Sequence, residues 1–379
     1  MFGLTPKNLS PIGVDLGTDA VKLLQIVFDD SPKLVAAGCR AIPYEVRADH
    51  EKRRDFLIHT LTDLIREAGF RGRRAIASVP ASLSYVQHIR LPRGETDDQH
   101  VIDELRGKLP GDPANMVIRT IDAGTVMANG VARQEVICLA VARPVVLHHM
   151  DILRRAKLDV VGMHCEPLAI LEAFAHLYRR AGDEKRTTFF IDIGSLATKA
   201  MIAHGKGLAF AKTIQVGGEH FDRQYAQELQ IELAEARQRR RAMAGQVAPT
   251  PHTVIMQQPV APGGYPGGGP FCAPEPEMLP PGGEMLEALI DELQLCLGYH
   301  ASIHPDYPVE KLVFLGGEAR QTALCKRIAA ALRLPAQLGD PMARAAREHT
   351  AKPPVGVDLR QPQPAWAVPL GLCRLPANL

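Results

Sequence analysis

The chain has 379 residues, 46% of them apolar and 23% charged, enough for two or three units that each bury a core. Its 44 Lys and Arg against 42 Asp and Glu leave a formal charge of +2, which argues against a protein built to coat nucleic acid or an anionic membrane. Seven scattered cysteines without a CxxC pair exclude a zinc ribbon and favour a reducing cytoplasm over a disulfide framework.

Met1 to Pro11 has no apolar signal-peptide core, and no stretch approaches the ~18 apolar residues of a membrane span. Membrane association is therefore expected only through a partner. In chain order, Ile12–Leu16 and Val21–Phe28 read as strands joined by a tight turn. Lys52–Ala68 places Phe56, Leu57, Leu61, Leu64 and Ile65 at helical spacing, with Gly69 as a stop. Arg74–Val79 is a short β-prone run. The segment 83–161 then reads as an α/β insertion, with strands Tyr85–Leu91, Val117–Asp122 and Glu135–Ala142 and helices His100–Leu109 and Pro144–Ala156. Glu166–Ala181 reads as a helix.

A second half opens near Thr187 with three strand signals, Phe189–Ile193, Thr198–Ala203 and Leu208–Val216. Phe221–Ala244 reads as one long helix whose Arg237, Arg239, Arg240 and Arg241 suit a solvated end that complements the helix dipole. Residues 245–283 hold 10 Pro and 8 Gly, and Gln246 to Pro274 carries no Asp, Glu, Lys or Arg. Such a composition cannot recover its ordering entropy, so a disordered loop is expected before a helix Gly283–Ser302. His148, His149, His164 and Cys165 lack a third ligand or a partner base at useful spacing and read as structural residues.

One device occurs twice. Val14-Asp15-Leu16-Gly17-Thr18-Asp19-Ala20-Val21-Lys22 aligns with Ile191-Asp192-Ile193-Gly194-Ser195-Leu196-Ala197-Thr198-Lys199, with Asp, Gly, Ala and Lys in common. Each copy ends an apolar strand with a carboxylate and follows it with Gly and a hydroxyl residue in the turn. Such a turn lets backbone N–H groups and a hydroxyl approach a phosphate, and the aspartate can hold the hydration shell of Mg²⁺. Two copies in two halves imply a duplicated fold with two phosphate hairpins facing one cleft.

The pair of hairpins resembles the actin/DnaK/sugar-kinase superfamily. Three further segments are similar to its motifs: Cys165-Glu166-Pro167-Leu168-Ala169, Val216-Gly217-Gly218-Glu219-His220-Phe221-Asp222 and Leu315-Gly316-Gly317-Glu318-Ala319-Arg320. Within it the chain resembles the PilM family of the FtsA/PilM branch. The features that carry this are the opening Ile12–Gly17 with Val21-Lys22, the insertion, Ala234-Glu235 in the helix after the GG turn, and the ending Ala367–Leu372. The resemblance implies an α/β, actin-like (ribonuclease H-like) duplicated two-lobe fold with an inserted 1C subdomain. Its lobes would be 1–82 plus 162–184 and 185–379, with 1C at 83–161 and subdomain 2B at about 219–312, enclosing the loop 245–283.

The resemblance further implies ATP and Mg²⁺ in the interlobe cleft. Asp15, Gly17, Thr18 and Lys22 from the first hairpin and Asp192, Gly194, Ser195 and Thr198 from the second would serve the phosphates, with Asp15 and Asp192 holding the metal through water. Gly217, Gly218, Glu219, Gly316, Gly317 and Arg320 would serve the nucleoside side, and Glu166 is the candidate for positioning water or metal. The implied function is a cytoplasmic scaffold, peripheral at the inner membrane, that binds the cytoplasmic N-terminal peptide of a PilN-like bitopic protein. Hydrolysis would be slow or absent, nucleic acid plays no part, and self-association stays open. Asp19 stands where the family usually has Ser or Thr, and Leu196 and Ala197 replace small or hydroxyl residues. These departures keep a nucleotide-free interaction module as an alternative, beside a small-molecule (sugar) kinase of the same superfamily.

Overall fold

The computed structural model describes residues 8–28, 32–94, 97–128, 130–244, 254–256, 283–343 and 352–379. The first half runs β1 (Ile12–Leu16), β2 (Ala20–Val27), β3 (Lys33–Ala41), α1 (Tyr44–Arg47), α2 (His50–Ala68) and β4 (Arg74–Val79). It continues with β5 (Tyr85–Pro92), α3 (Asp98–Leu105), β6 (Met116–Ala128), β7 (Val131–Ala142), α4 (Arg143–Arg155), β8 (Asp159–Cys165) and α5 (Glu166–Phe174). The second half runs β9 (Thr187–Ile193), β10 (Thr198–His204), β11 (Gly207–Ile214), α6 (Gly218–Leu229), α7 (Leu233–Ala244) and β12 (Val254–Met256). The last elements are α8 (Gly283–Ile303), β13 (Lys311–Leu315), α9 (Thr322–Leu332), β14 (Ala336–Leu338) and α10 (Ala367–Arg374).

Two sheets repeat one plan. The first has the order β3-β2-β1-β4-β8 and the second β11-β10-β9-β13-β14, with β12 added at its edge. In each, three strands form an antiparallel meander and the last two run parallel to the first strand of the half. β1 and β9 are buried along their whole length. Such all-apolar strands suit a sheet covered on both faces. α2 and α4 cover the outer face of the first sheet, and α8 and α9 that of the second. α5 and α10 lie in the shared core between the sheets, among Ile76, Phe174, Phe190 and Leu370. This is an actin-like duplicated fold with an added sheet, β5-β7-β6, that has its own small core of Ile89, Leu91, Leu105 and Cys138.

Local chemistry sets the boundaries. Asp49 accepts from Glu51 N and Lys52 N at 3.1 Å, which starts α2, and Gly69 ends it in the left-handed region at φ 77°. The long helix expected over Phe221–Ala244 is two helices, because Gln230 turns left-handed (φ 52°) at the end of α6. The helix expected over Glu166–Ala181 stops at Phe174 and passes into a 3₁₀ turn. Strands β3 and β8 were not expected.

The expected segment boundaries also shift. The helix over 144–156 and the strand β8 belong with the first sheet, since Ile152 and Leu153 pack on its core and β8 pairs with β4. The separate inserted sheet is thus β5 to β7. Residues beyond 352 leave the second half: Val355 bridges to Gly38, and α10 packs on β1 and α5. Of the loop expected at 245–283, residues 245–253 and 257–282 lie outside the described residues. Val254–Met256, by contrast, pair antiparallel with β14, and Gly283 already begins α8.

Candidate functional site

The two hairpins face each other across a cavity of about 490 Å³. In the first, β1 and β2 place Asp15 opposite Lys22, whose Nζ donates to Asp15 Oδ2 at 2.9 Å. In the second, β9 and β10 place Asp192 opposite Lys199, with Nζ 3.1 Å from Asp192 Oδ1. The sequence repeat is therefore a repeat of geometry, register and ion pair. Lys199 does more than Lys22: it also donates to Glu166 Oε2 at 3.0 Å, an oxygen that accepts from Ala81 N at the same distance.

The cavity floor thus gathers three buried carboxylates, Asp15, Asp192 and Glu166, against two ammonium groups. Burial would push the Lys199 ammonium toward deprotonation, but Asp192 and Glu166 overcome it and raise its pKa. Glu166 is raised, by burial first, with Lys199 opposing and the charges of Asp15 and Asp192 adding to it. A net negative floor of carboxylates suits a hydrated divalent cation.

The hairpin turns supply the opposite polarity. Gly17, Thr18, Gly194 and Ser195 line the cavity, and Ser195 Oγ is buried without a hydrogen bond of proper geometry among the described residues. On another wall, Gly316 holds φ 88°, and a Cβ there would sit 2.2 Å from Ile193 O. Only glycine lets this turn lie against the end of β9. Gly317 and Arg320 follow it into the cavity wall, where Arg320 Nη2 donates to Gln363 Oε1 at 2.9 Å.

Asp15, Gly17, Thr18, Lys22, Glu166, Asp192, Gly194, Ser195, Gly316, Gly317 and Arg320 come together at the cavity. Thr198, Gly217, Gly218 and Glu219 do not line it. Thr198 Oγ1 donates to Val216 O at 2.7 Å, and Gly218 N and Glu219 N donate to Gly194 O and Ser195 O at 2.9 and 2.8 Å. These residues brace the second hairpin from behind, while the Glu219 carboxylate turns to Arg223 at 2.5 Å. Arg240 is buried rather than solvated. It bonds Asp222 Oδ1 at 2.6 Å and Glu318 Oε2 at 2.5 Å, and so ties α6 and α7 to the Gly316-Gly317 turn.

A family pattern described as Type IV pilus assembly protein PilM matches residues 13–247. The chain belongs to the PilM family. Its backbone is similar to the solved PilM-PilN type IV pilus biogenesis complex, with a TM-score of 0.72 and 18% identity over 97% of this chain and 98% of that one. It is also similar to the ethanolamine utilization protein EutJ from Carboxydothermus hydrogenoformans, with a TM-score of 0.50 and 13% identity over 97% and 90% of the two chains. No curated protein sequence matches the chain.

Other parts of this PilM-type cavity have no motif in the sequence. Ala81 and Ser82 arrive from the turn after β4, and Val357, Asp358 and Trp366 from the segment that returns to the first half. The second group is the more legible in retrospect, because Trp366 is the chain's sole tryptophan and precedes the closing motif. His149 and His164 are buried on the carbonyls of Val145 and Pro376, at 2.8 and 2.9 Å. Burial pushes the Cys165 thiol up to about 11, unsuited to a thiolate nucleophile.

Proposed function

We propose that this chain is an ATP-binding scaffold of a type IV pilus inner-membrane platform. It binds Mg-ATP between its two halves and docks the cytoplasmic N-terminal tail of a PilN-like bitopic protein. The matched hairpins carry the nucleotide part of this reading: two Asp–Lys pairs in one register, with Gly and a hydroxyl residue in each turn, facing one cavity. The donor set fits the ligand, since a buried hydroxyl and glycine-containing turns suit phosphate while the carboxylate floor suits the metal. Asp15 and Asp192 each use one oxygen for a lysine and have a second for metal-bound water. Mg²⁺, when bound, would neutralise polyphosphate charge. Lys22 and Lys199 orient the aspartates. Glu166 is already engaged by Ala81 N and Lys199, which suits a ligand-responsive scaffold with slow or no hydrolysis.

The partner part draws on the inserted sheet. No described helix is long and apolar enough to cross a membrane, so attachment would run through another protein. Tyr85, Val117, Met127 and Val131 of this sheet are four of the 13 exposed large apolar side chains among the described residues, with Leu83 just before β5 and Leu147 on α4. β5 and β6 are the outer strands of that sheet, and an extended peptide can add to a strand of this kind. The similar solved structure is of a PilM-PilN complex.

Calorimetry tests both parts. Mg-ATP should bind the wild-type chain, and Asp192→Ala should weaken it at least about tenfold, ~1.4 kcal/mol. A peptide copying the cytoplasmic N-terminus of the PilN-like protein should bind the wild type, and a Tyr85→Glu/Val117→Glu variant should lose it. Absence of ATP binding at millimolar concentration would favour a nucleotide-free interaction module.

A further inference from the structure

The tip of the first hairpin carries a carboxylate, Asp19, on the cavity wall. Three guanidinium groups close on it. Arg47 comes from α1 in the same half, and Arg237 and Arg241 come across the cleft from α7. Arg241 contacts the carboxylate at 2.5 Å, and Arg47 and Arg237 pair with it too. The Arg47 and Arg237 side chains are only 11% and 12% exposed, whereas Arg241 is 50% exposed and itself lines the cavity. A fourth guanidinium, Arg53, donates to the carbonyls of Gly17 and Thr18 at 2.9 and 3.3 Å.

One carboxylate therefore meets three guanidiniums where the turn faces the cavity, and a fourth holds the carbonyls of the turn. The three cations outnumber the carboxylate's charge, and Arg237 and Arg241 share a single oxygen, Oδ2, as their acceptor. Arg47 Nη1 and Asp19 Oδ1 touch without a hydrogen bond of proper angle, while the Ser195 hydroxyl helps to stabilise the Asp19 charge. Burial, against the attraction of Asp19, lowers the Arg47 pKa, and the like charges of Arg237 and Arg241 add to this. Guanidinium groups are forks that suit the several oxygens of phosphate better than one carboxylate.

We propose that Asp19 is a built-in stand-in for phosphate: without nucleotide it holds Arg237 and Arg241 across the cleft, and the polyphosphate of a bound nucleotide takes those guanidiniums from it. Arg237 and Arg241 are then phosphate ligands, and the α7–hairpin bridge passes from an internal ion pair to a ligand-mediated one. Asp19 competes with the ligand, so its removal tightens binding, the reverse of removing Asp192. This inference rests on the nucleotide reading above.

The test compares wild type, Asp19→Ser, the near-isosteric Asp19→Asn and Arg237→Ala/Arg241→Ala. It uses Mg-ATP calorimetry and thermal unfolding with and without pyrophosphate. Both Asp19 variants should bind Mg-ATP about tenfold more tightly than wild type, ~1.4 kcal/mol. They should also melt lower without ligand, and pyrophosphate should restore the loss. The double arginine variant should bind Mg-ATP at least about tenfold more weakly than wild type. Asp19 variants that bind equally or more weakly than a wild type that does bind overturn the stand-in role and leave the nucleotide reading intact. Pyrophosphate stabilisation of Asp19→Ser with no ATP binding to any variant keeps the anion site and overturns the nucleotide reading. No response to either ligand overturns both.

Discussion

Tyr299 donates its hydroxyl to Glu135 Oε1 at 2.7 Å, and this bond joins α8 of the second half to β7 of the inserted sheet. Glu135 has no solvent exposure and gathers two more donors, His88 Nδ1 at 3.1 Å and Arg90 Nε at 3.0 Å. His88 extends the joint: its other nitrogen lies 3.1 Å from Ala211 O, and its ring stacks on Phe210 of β11. Burial opposes the Glu135 charge, but His88, Tyr299 and Arg90 together hold its pKa below the usual value.

Glu135→Ala strands those donors in a buried setting, and the expected cost is about 3 kcal/mol in chemical denaturation. Glu135→Gln, which keeps an acceptor, should lose less. A cost within 0.5 kcal/mol, about the range of an ordinary surface substitution, would show that the joint carries no load.

Lys199→Met leaves Glu166 and Asp192 without their shared cation. At neutral pH the variant should lose about 3–5 kcal/mol of stability. Lowering the pH should recover part of it. Buried carboxylates deprived of a cation have folded pKa values above the unfolded ones, so the folded state binds more protons and stability falls as pH rises. Urea titrations at pH 5 and pH 8 check the sign.

The histidines beneath α8 give the opposite dependence. His204 Nε2 lies 2.9 Å from His300 Nε2, Tyr307 stacks on His204, and His304 packs on both imidazoles. Burial first, then their neighbours' charge, lowers His204 to about 4 and His300 to about 3. The unfolded chain binds more protons than the folded one between those values and ~6.5, so stability declines as pH drops through that window. The slope approaches ~1.4 kcal/mol per pH unit for each histidine, and His300→Gln should flatten it.

Gly371→Ala should be far costlier than a usual glycine substitution. The added Cβ would stand 1.7 Å from Ala169 O, a backbone atom of α5. α10 must then shift away from α5 and from β1, and a loss of at least about 3 kcal/mol is expected by calorimetric unfolding. A neutral variant would mean that the shared helical layer tolerates a rigid shift.

How much of this was legible depended on distance along the chain. The hairpins were readable because apolar strands, an Asp and a Gly turn all lie within nine residues of each other, and the cross-strand register follows from that spacing. β3 and β8 lack a clear strand signal because Lys33–Ala41 carries Ala-Ala-Gly at its centre and Asp159–Cys165 is short with Gly162 in its middle, and neither alternates. The arginine run was misread for a different reason. Arg239 is solvated and pairs with Glu235 on its own helix, as composition suggests. Arg240 meets Glu318 and Arg237 meets Asp19, partners 78 and 218 residues away that no local pattern announces.

The position of α10 has a consequence for how the chain is made. Residues 367–374 pack on β1, residues 12–16, so a strand made early is covered by a helix made more than 350 residues later. During synthesis the first sheet can pair its backbone early and α5 can cover part of its inner face, but the part under α10 stays open to water and to other nascent chains until Ala367 emerges. Chaperone demand should therefore follow the length of this wait. Shortening the chain ahead of Ala367 should make the N-terminal half, rather than the shortened end, the part that aggregates.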